Sequence, residues 1–225
     1  DFYWYTHFSD KDFAYGRALA QVVGTTVMRL ADADVLPLEF TGLADTVKGY
    51  LKEVRTLADD LRSRVVERNK QIDEGVFRAV LDPQRPTVAP KREDPPPFVN
   101  FAPLENAVAN LARSADRFEA ASAKAFASGL PRAAADSLNQ KLAESERRLT
   151  DPAGLPRRPW YKHLLYAPGV YTGYGVKTLP GVREALEQKR WAEAESEVVR
   201  VARVLEAESA LIDVAARDLE ALPKP

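Results

Sequence analysis

The stretch TGLADTVKGYLKEVRTLADDLRSRV, residues 41–65, decides the fold class because its apolar residues recur with a clear helical period. They follow one another at alternating spacings of four and three, which places them on one stripe of an α-helix. The members of this stripe are Leu43, Val47, Tyr50, Val54, Leu57, Leu61 and Val65. Thr41 favours a helix start, because a threonine hydroxyl accepts a hydrogen bond from an unpaired amide of the first turn. The pattern predicts a long helix over about 42–72.

Comparable spacing elsewhere predicts several more helices, and proline or glycine marks many of their ends. The predicted ranges are 10–33, 103–129, 131–149, 182–186 and 191–222. Alternating strand patterns are scarce, and residues 164–166 are the best candidate for a short strand. The sequence therefore predicts a mainly α fold, a bundle of long helices with one long irregular loop rich in Pro, Gly and Tyr.

Two segments break the helical pattern. Residues 82–100 carry six prolines and few apolar residues, which predicts an extended surface connection; a ligand for an SH3-type domain is the less favoured alternative. Residues 150–180 hold the Pro, Gly and Tyr residues of the irregular loop. A loop of that length in a compact domain usually has a function, so we expect the functional site there.

The charge balance limits the possible partners. The 225 residues contain 32 Lys and Arg against 33 Asp and Glu, a net charge of −1, which argues against a protein that neutralises many phosphates. Residues 157–162 interleave cations with aromatics as single-strand binders do, but the favoured interpretation is a loop anchored by Trp160 and Tyr161 with its cations in water. The longest apolar runs fall far short of a membrane span. We expect neither a nucleic-acid partner nor a membrane segment.

Catalytic and metal-binding motifs are scarce. A catalytic zinc site needs three protein ligands, whereas the chain has no cysteine and only His7 and His163, neither of them in a His-Glu-x-x-His arrangement. Gly173-Tyr174-Gly175 lacks the helix context of a dinucleotide fingerprint, and no Gly-x-Ser-x-Gly elbow occurs. The sequence therefore predicts no metal site and no catalytic residue within this chain.

The first residues predict that the chain is a piece of a longer protein. Asp1 is followed by Phe-Tyr-Trp-Tyr, and Met28 is the only methionine. Such an aromatic run is typical of a protein interior, whereas domain starts are usually polar.

A family resemblance accounts for the irregular loop. The run Asp151-Pro-Ala-Gly-Leu-Pro-x-Arg-Pro-x-Tyr-x-His163, then Tyr166-Ala-Pro168, then Leu179-Pro-Gly181, resembles the C-terminal domain of the glutamate carboxypeptidase II and transferrin receptor family. The run ADADVLPL that ends at Leu38 is similar to the join between that family's peptidase domain and its helical domain. The resemblance implies that residues 1–36 end a zinc peptidase-like domain and that 37–225 form a dimerisation domain, with 82–100 as a Pro-rich excursion.

The resemblance also implies a function. The chain would be the homodimerisation domain of a zinc-dependent exopeptidase, inactive alone, with a loop that reaches the substrate pocket of its own upstream peptidase domain. Zinc would be bound in that domain, so the parent protein and not this chain would be the metallopeptidase. Family members are typically extracytoplasmic, which implies the same location here. The alternative is the dimer or partner-binding domain of a non-catalytic receptor relative.

The same resemblance implies substrate-binding residues, because the sequence can be matched to the family position by position between Tyr166 and Gly181. In the peptidase members, the loop presents a Lys-Tyr pair that grips the carboxylate of a C-terminal glutamate, and the pair falls here on Gly173 and Tyr174. Tyr174 is kept and the lysine is lost, so Lys177 or Arg158 would have to supply a cation. The implied substrate-binding residues are Tyr174, Gly173 and Lys177; the alternative for Tyr174 is a loop residue packed under Pro168.

The helices themselves predict self-association. The apolar faces of 42–72 and 191–222 are wider than one small bundle needs. We therefore expect an apolar surface on these helices for a second copy.

Overall fold

The computed structural model describes residues 1–79 and 88–223 and confirms a mainly α fold. Part of the predicted excursion, 82–87, lies outside the described residues. The helices are α1 Phe2–Trp4, continued by a π-helical turn at Tyr5–Ser9, α2 Ala14–Ala31, α3 Phe40–Asp73, α4 Val76–Ala79, α5 Ala102–Ala127, α6 Arg132–Leu142, α7 Ser145–Arg148, α8 Pro180–Glu187 and α9 Trp191–Glu220. Two short antiparallel strands, β1 Tyr166–Pro168 and β2 Val176–Thr178, pair with Ala167 opposite Lys177.

The predicted helices occur with shifted ends. Helix α3 begins at Phe40, so Thr41 lies inside its first turn and is not the residue that precedes the helix. The predicted helix 131–149 is two helices, because α6 ends at Leu142 and α7 begins at Ser145. Among the described residues, no helix is long and apolar enough to cross a bilayer.

The chain divides into two compact units. Asp1–Leu38 with Gly129–Ala143 form unit 1, and Glu39–Ser128 with Glu144–Pro225 form unit 2. The sequence-based boundary near residue 36 remains a prediction about the longer protein.

Within unit 1, the buried carboxylate of Asp10 fixes the start of α2. It accepts the backbone amides of Tyr15 and Gly16 at 3.1 and 2.8 Å, which are otherwise unpaired in the first turn, and the Tyr5 hydroxyl at 3.1 Å. Asn139 of α6 fixes the other end of this unit. Its side-chain amide donates to the carbonyl of Asp34 at 2.9 Å and its oxygen accepts the amide of Leu36 at 2.9 Å.

The apolar residues of unit 1 are exposed. Helix α2 has the broad apolar face predicted from its sequence, yet none of its residues is buried. The exposed large side chains of this unit include Phe2, Tyr3, Trp4, Phe8, Leu19, Val22, Val23, Val27 and Met28. An exposed apolar surface of this extent marks an interaction face.

Unit 2 holds the core, and α9 is its central helix. Helices α5, α8 and α7 pack on α9, while α3 packs on α5 and α8. The ring of Phe40 in α3 meets Phe118 of α5 edge-on at 5.1 Å between ring centres. The side chains buried at these contacts include Val47, Leu51 and Val54 of α3, Leu104, Leu111 and Phe118 of α5, and Val198, Val201, Leu205 and Ile212 of α9.

This packing corrects one expectation. The apolar surface left over on α3 and α9 is narrower than predicted, because the unit's own helices bury Val47, Val54 and Val65 and leave Leu57 and Leu61 half-buried. Val66 and Val199 are the exposed large apolar side chains of these two helices. A second copy must therefore meet a mixed polar surface if it binds α3 or α9, as many protein interfaces do.

Residues 88–100, which we call the strap, form neither helix nor strand. Buried Asn69 of α3 binds the backbone of Glu93 in both directions, donating to its carbonyl at 2.7 Å and accepting its amide at 3.1 Å. The Glu93 carboxylate in turn pairs with Arg68 of α3 at 3.0 Å and with Lys189 at 2.9 Å. The strap is thus fixed to α3 and to the turn between α8 and α9.

The most deeply buried acid in unit 2 is Glu208 of α9. Ser145 of α7 donates its hydroxyl to Oε1 at 2.5 Å, and Oε2 has no hydrogen-bond partner among the described residues. Burial raises the pKa of Glu208 to about 7, with Glu146 adding to the shift and Ser145 and Arg148 opposing it. The unfolded chain releases this proton near pH 4.5 and the folded chain near 7, so stability falls as pH rises between these values.

We expect Glu208→Gln to remove this loss. The free energy of unfolding of the variant relative to the wild type should rise by about 3 kcal/mol between pH 4.5 and pH 8, because glutamine has no proton to release. Urea unfolding of both proteins at the two pH values measures it. Glu119→Gln, at an exposed position of α5, is the control and should show no such trend. An equal gain at both pH values would contradict the prediction.

Candidate functional site

The first part of the irregular loop is a packed turn on α9. Gly154 has φ +67°, and a Cβ there would lie 2.3 Å from the carbonyl oxygen of Pro159, so only glycine fits. Arg200 of α9 donates to the carbonyl of Gly154 at 2.7 Å and pairs with Asp151 at 3.2 Å. These contacts give the Asp-Pro-Ala-Gly motif a structural role, because its residues hold the loop to the core.

The second part of the loop is a β-hairpin, residues 166–178. The short strand predicted at 164–166 lies two residues further on, at Tyr166–Pro168, and the amide of Leu164 instead donates to the carbonyl of Leu149 at 3.1 Å. The amide of Gly169 donates to the carbonyl of Gly175 at 2.9 Å and closes the loop 169–175. Gly173 lies in this loop with φ +62°, a backbone conformation that favours glycine.

A buried ion pair holds the stem of the hairpin. Glu184 of α8 accepts Arg158 Nη2 at 2.7 Å on both oxygens, and its Oε1 also accepts the amide of Val170 at 3.0 Å. The second guanidinium nitrogen, Nη1 of Arg158, donates to the carbonyl of Pro168. The pair therefore contacts the end of β1 and the start of the loop.

This arrangement corrects part of the sequence-based interpretation of residues 157–162: Tyr161 is half-buried and Lys162 is exposed as expected, whereas Trp160 and Arg158 are not as expected. Trp160, expected to anchor the loop, is 74% exposed, and Arg158, expected in water, is 7% exposed. Arg157 forms two hydrogen bonds to Glu193, at 2.8 and 2.9 Å. Two of the cations that suggested a single-strand binder are thus held by carboxylates of this chain.

The far end of the stem is attached to α3. Glu53 of α3 accepts the Thr178 hydroxyl at 2.9 Å and pairs with Arg183 of α8. Arg183 Nε also donates to the Thr178 carbonyl at 3.1 Å. Both strands of the hairpin are therefore fixed to the helical core, and the loop extends beyond them.

The structure places the predicted site residues in two environments. Tyr174 is fully exposed at the loop tip, so the alternative in which it packs under Pro168 is wrong. Gly173 is beside it, and a Cβ at Gly173 would have no atom within 4 Å. Lys177 lies on β2, where its ammonium pairs with Glu187 at 2.7 Å and its stem approaches Gly169. A role for these three residues in substrate binding remains a prediction.

Sequence reasoning missed part of this site. Tyr171 and Val176 share the exposure of Tyr174, and the pattern of the loop did not distinguish them. The Arg158–Glu184 pair joins residues 26 positions apart, and no periodicity relates them. Their partnership depends on the tertiary fold.

Neither histidine belongs to a metal site in the described residues. The ring of His163 lies against that of Tyr166, tilted by 34° with ring centres 4.1 Å apart, and its Nε2 is 3.2 Å from Glu146. Burial lowers the pKa of His163, and Glu146 opposes this shift. His7 is exposed and stacks on Tyr3. The described part of the chain has no group of three or more His, Cys, Asp or Glu residues that would hold a metal ion.

Comparison with known proteins finds relatives whose names are those of peptidases or proteases. The chain is 28% identical to a probable glutamate carboxypeptidase of Arabidopsis thaliana over 91% of its own length and 25% of that protein. It is 24% identical to the aminopeptidase NAALADL1 of Mus musculus over 91% of its length and 24% of that protein. An inactive zinc metalloprotease of Schizosaccharomyces pombe is 38% identical over 32% of the chain and 9% of that protein. The chain spans about a quarter or less of the length of these curated relatives.

These findings define the class of the protein: an α-helical association domain that carries a clamped hairpin. The chain belongs to the transferrin receptor-like dimerisation domain family, whose sequence profile matches residues 99–213. It is a dimerisation domain of a family whose other members are named as glutamate carboxypeptidases and zinc metalloproteases.

We expect Glu184→Gln to loosen the hairpin stem. The substitution leaves the Arg158 charge buried without its carboxylate, which should cost about 3–5 kcal/mol of stability and speed hydrogen exchange at the Val170 amide. Urea unfolding and amide exchange measure the two effects. Glu187→Gln on the same helix is the matched control, since its pair with Lys177 is partly exposed and should be worth under about 1 kcal/mol. Equal effects of the two variants would contradict a special role for the buried pair.

Proposed function

We propose that this chain is the C-terminal part of a zinc-dependent exopeptidase. Its helical domain joins two copies of the protein, and its hairpin completes the substrate pocket of the upstream peptidase domain. The observation that carries the proposal is the hairpin itself, a loop with a fully exposed Tyr174 on a stem fixed by a buried ion pair. A rigid support of this kind is what a substrate-contacting residue needs, because a contact held in place costs less conformational entropy on binding.

The exposed apolar face of α2 supports an upstream partner. Residues 1–36 would be the last part of the peptidase domain, and the rest of that domain would cover Leu19, Val23 and Val27. The length of the relatives agrees with this, since three quarters or more of each lies outside the aligned part.

Zinc belongs to the proposed parent protein rather than to this chain. Relatives named zinc metalloproteases support a metal in the family, and the described residues offer no cluster to hold one. The ligands would lie in the upstream domain, which makes the chain inactive alone. Water would add across a peptide bond there and release a carboxylate and an amine. An extracytoplasmic location is part of the same proposal.

A second candidate is a non-catalytic relative in which dimerisation and partner binding are the whole function. One relative carries the name of an inactive zinc metalloprotease, which favours keeping this candidate. Zinc analysis of the purified longer protein separates the two: about one or two metal ions per chain supports the peptidase, and none supports the non-catalytic relative.

The self-association of the chain is testable directly. In sedimentation at tens of micromolar, we expect a species of twice the 25.0 kDa mass of one chain. A variant with polar substitutions on the α2 face, Leu19→Lys with Val23→Glu and Val27→Lys, should also be a dimer, because the family match lies outside α2.

Two results would contradict this assignment. A monomer for both proteins would argue against dimerisation by this domain. A dimer that is lost in the α2 variant would show that the exposed apolar face, and not the helical domain of the family, joins the copies.

A further inference from the structure

We infer that α7 opens locally in a pH-dependent way: its open fraction grows as the pH rises from 5 to 7, and each opening releases the start of the hairpin. Three parts of unit 2 form this device. They are the buried acid Glu208 on α9, the four-residue helix α7 that packs against it, and residues 163–166, which we call the hairpin base. The Arg158–Glu184 pair is separate from it and holds the other end of β1.

Glu208 depends on α7 for its hydrogen bond. Its side chain is fully buried, the Ser145 hydroxyl donates to Oε1 at 2.5 Å, and Oε2 has no partner among the described residues. A protonated carboxyl is neutral and tolerates such a site, whereas a carboxylate exchanges its hydration shell for one hydroxyl donor. Water reaches Oε2 when α7 moves away from α9. Ionisation of Glu208 and opening of α7 are therefore coupled.

The direction of this coupling follows from the groups around Glu208. Burial raises its pKa to about 7, the Ser145 hydroxyl opposes this, Glu146 adds to it and Arg148 opposes it. In the open form, Glu208 meets water and has its ordinary pKa of 4.5. The closed form thus binds the proton more tightly, so the opening constant rises between pH 4.5 and pH 7 and levels off above that range.

Helix α7 also holds the hairpin base. The Glu146 carboxylate lies 3.2 Å from Nε2 of His163 and 3.5 Å from the hydroxyl of Tyr166, the first residue of β1. The backbone continues this attachment directly after α7, where the Leu149 carbonyl accepts the amide of Leu164 at 3.1 Å. When α7 leaves α9, these contacts lose their support, and the hairpin base opens with it.

Two further titratable groups contact Glu146. Burial raises the pKa of Tyr166, so its hydroxyl keeps its proton throughout this range. Burial lowers the pKa of His163, so protonation of His163 at acidic pH favours the open form and opposes the effect of Glu208. A variant that lacks only the Glu208 carboxyl separates these two contributions.

Amide hydrogen exchange of the wild type and Glu208→Gln tests the coupling. The exchange rates of the Arg147, Arg148 and Leu164 amides at pH 5 and pH 7, divided by their intrinsic rates, give the opening constants. Repeating the measurement in about 1 M urea distinguishes local opening from global unfolding, which exposes more surface and is favoured by urea. The matched control is Glu206→Gln, an exposed acid on the same helix.

From pH 5 to pH 7, the opening constant of the wild type should rise by about 30-fold relative to that of Glu208→Gln, with little dependence on urea. Glu206→Gln should behave as the wild type. Equal pH trends in the wild type and Glu208→Gln would overturn the coupling.

Two further outcomes contradict the inference and need only the wild type, so they decide even if Glu208→Gln does not fold. The first is a urea dependence at Arg147 and Arg148 as steep as that of the core amides of α3, which would mean that Glu208 meets water only on global unfolding. The second is an opening of α7 that the Leu164 amide does not share, which would show that the hairpin base stays in place.

Discussion

The buried pair of Arg158 and Glu184 is the interaction on which the functional part of this structure depends. It connects the packed turn before the hairpin, the end of β1 and the second turn of α8 through one guanidinium and one carboxylate. Two charges taken out of water are costly unless their polar atoms are paired. Here the carboxylate also accepts the Val170 amide, while Nε of Arg158 is buried without a hydrogen-bond partner among the described residues. An irregular segment without helical hydrogen bonds thereby has a defined position.

The helical fold could be predicted because the spacing of apolar residues that indicates each helix lies within that helix. The spacing of apolar residues over 42–72 and 191–222 places both long helices to within a few residues, and Pro103 and Gly129 bound a third. Helix ends were less accurate, since a cap depends on contacts that the period does not encode. Asp10 shows this: it fixes the start of α2 through amides five and six residues away, together with a tyrosine hydroxyl.

The candidate site could be predicted only in part. The glycine and proline residues of 151–181 marked the irregular segment, and the family resemblance singled out Tyr174, which the structure shows exposed at the tip of the hairpin. The sequence does not show which charged side chains pair. It predicted Lys177 and Arg158 as available cations, but each forms an ion pair with a glutamate of α8. The apolar surplus predicted for α3 and α9 is narrower than expected for a related reason. Their stripes are as wide as expected, but the number of neighbours that cover them is a property of the whole bundle.

The way Asn69 holds the strap has an evolutionary consequence. Its side-chain amide recognises the backbone N–H and C=O of residue 93, which every residue except proline provides. A residue other than glutamate at position 93 can therefore keep this backbone contact with α3, while it loses the ion pairs of the Glu93 carboxylate with Arg68 and Lys189.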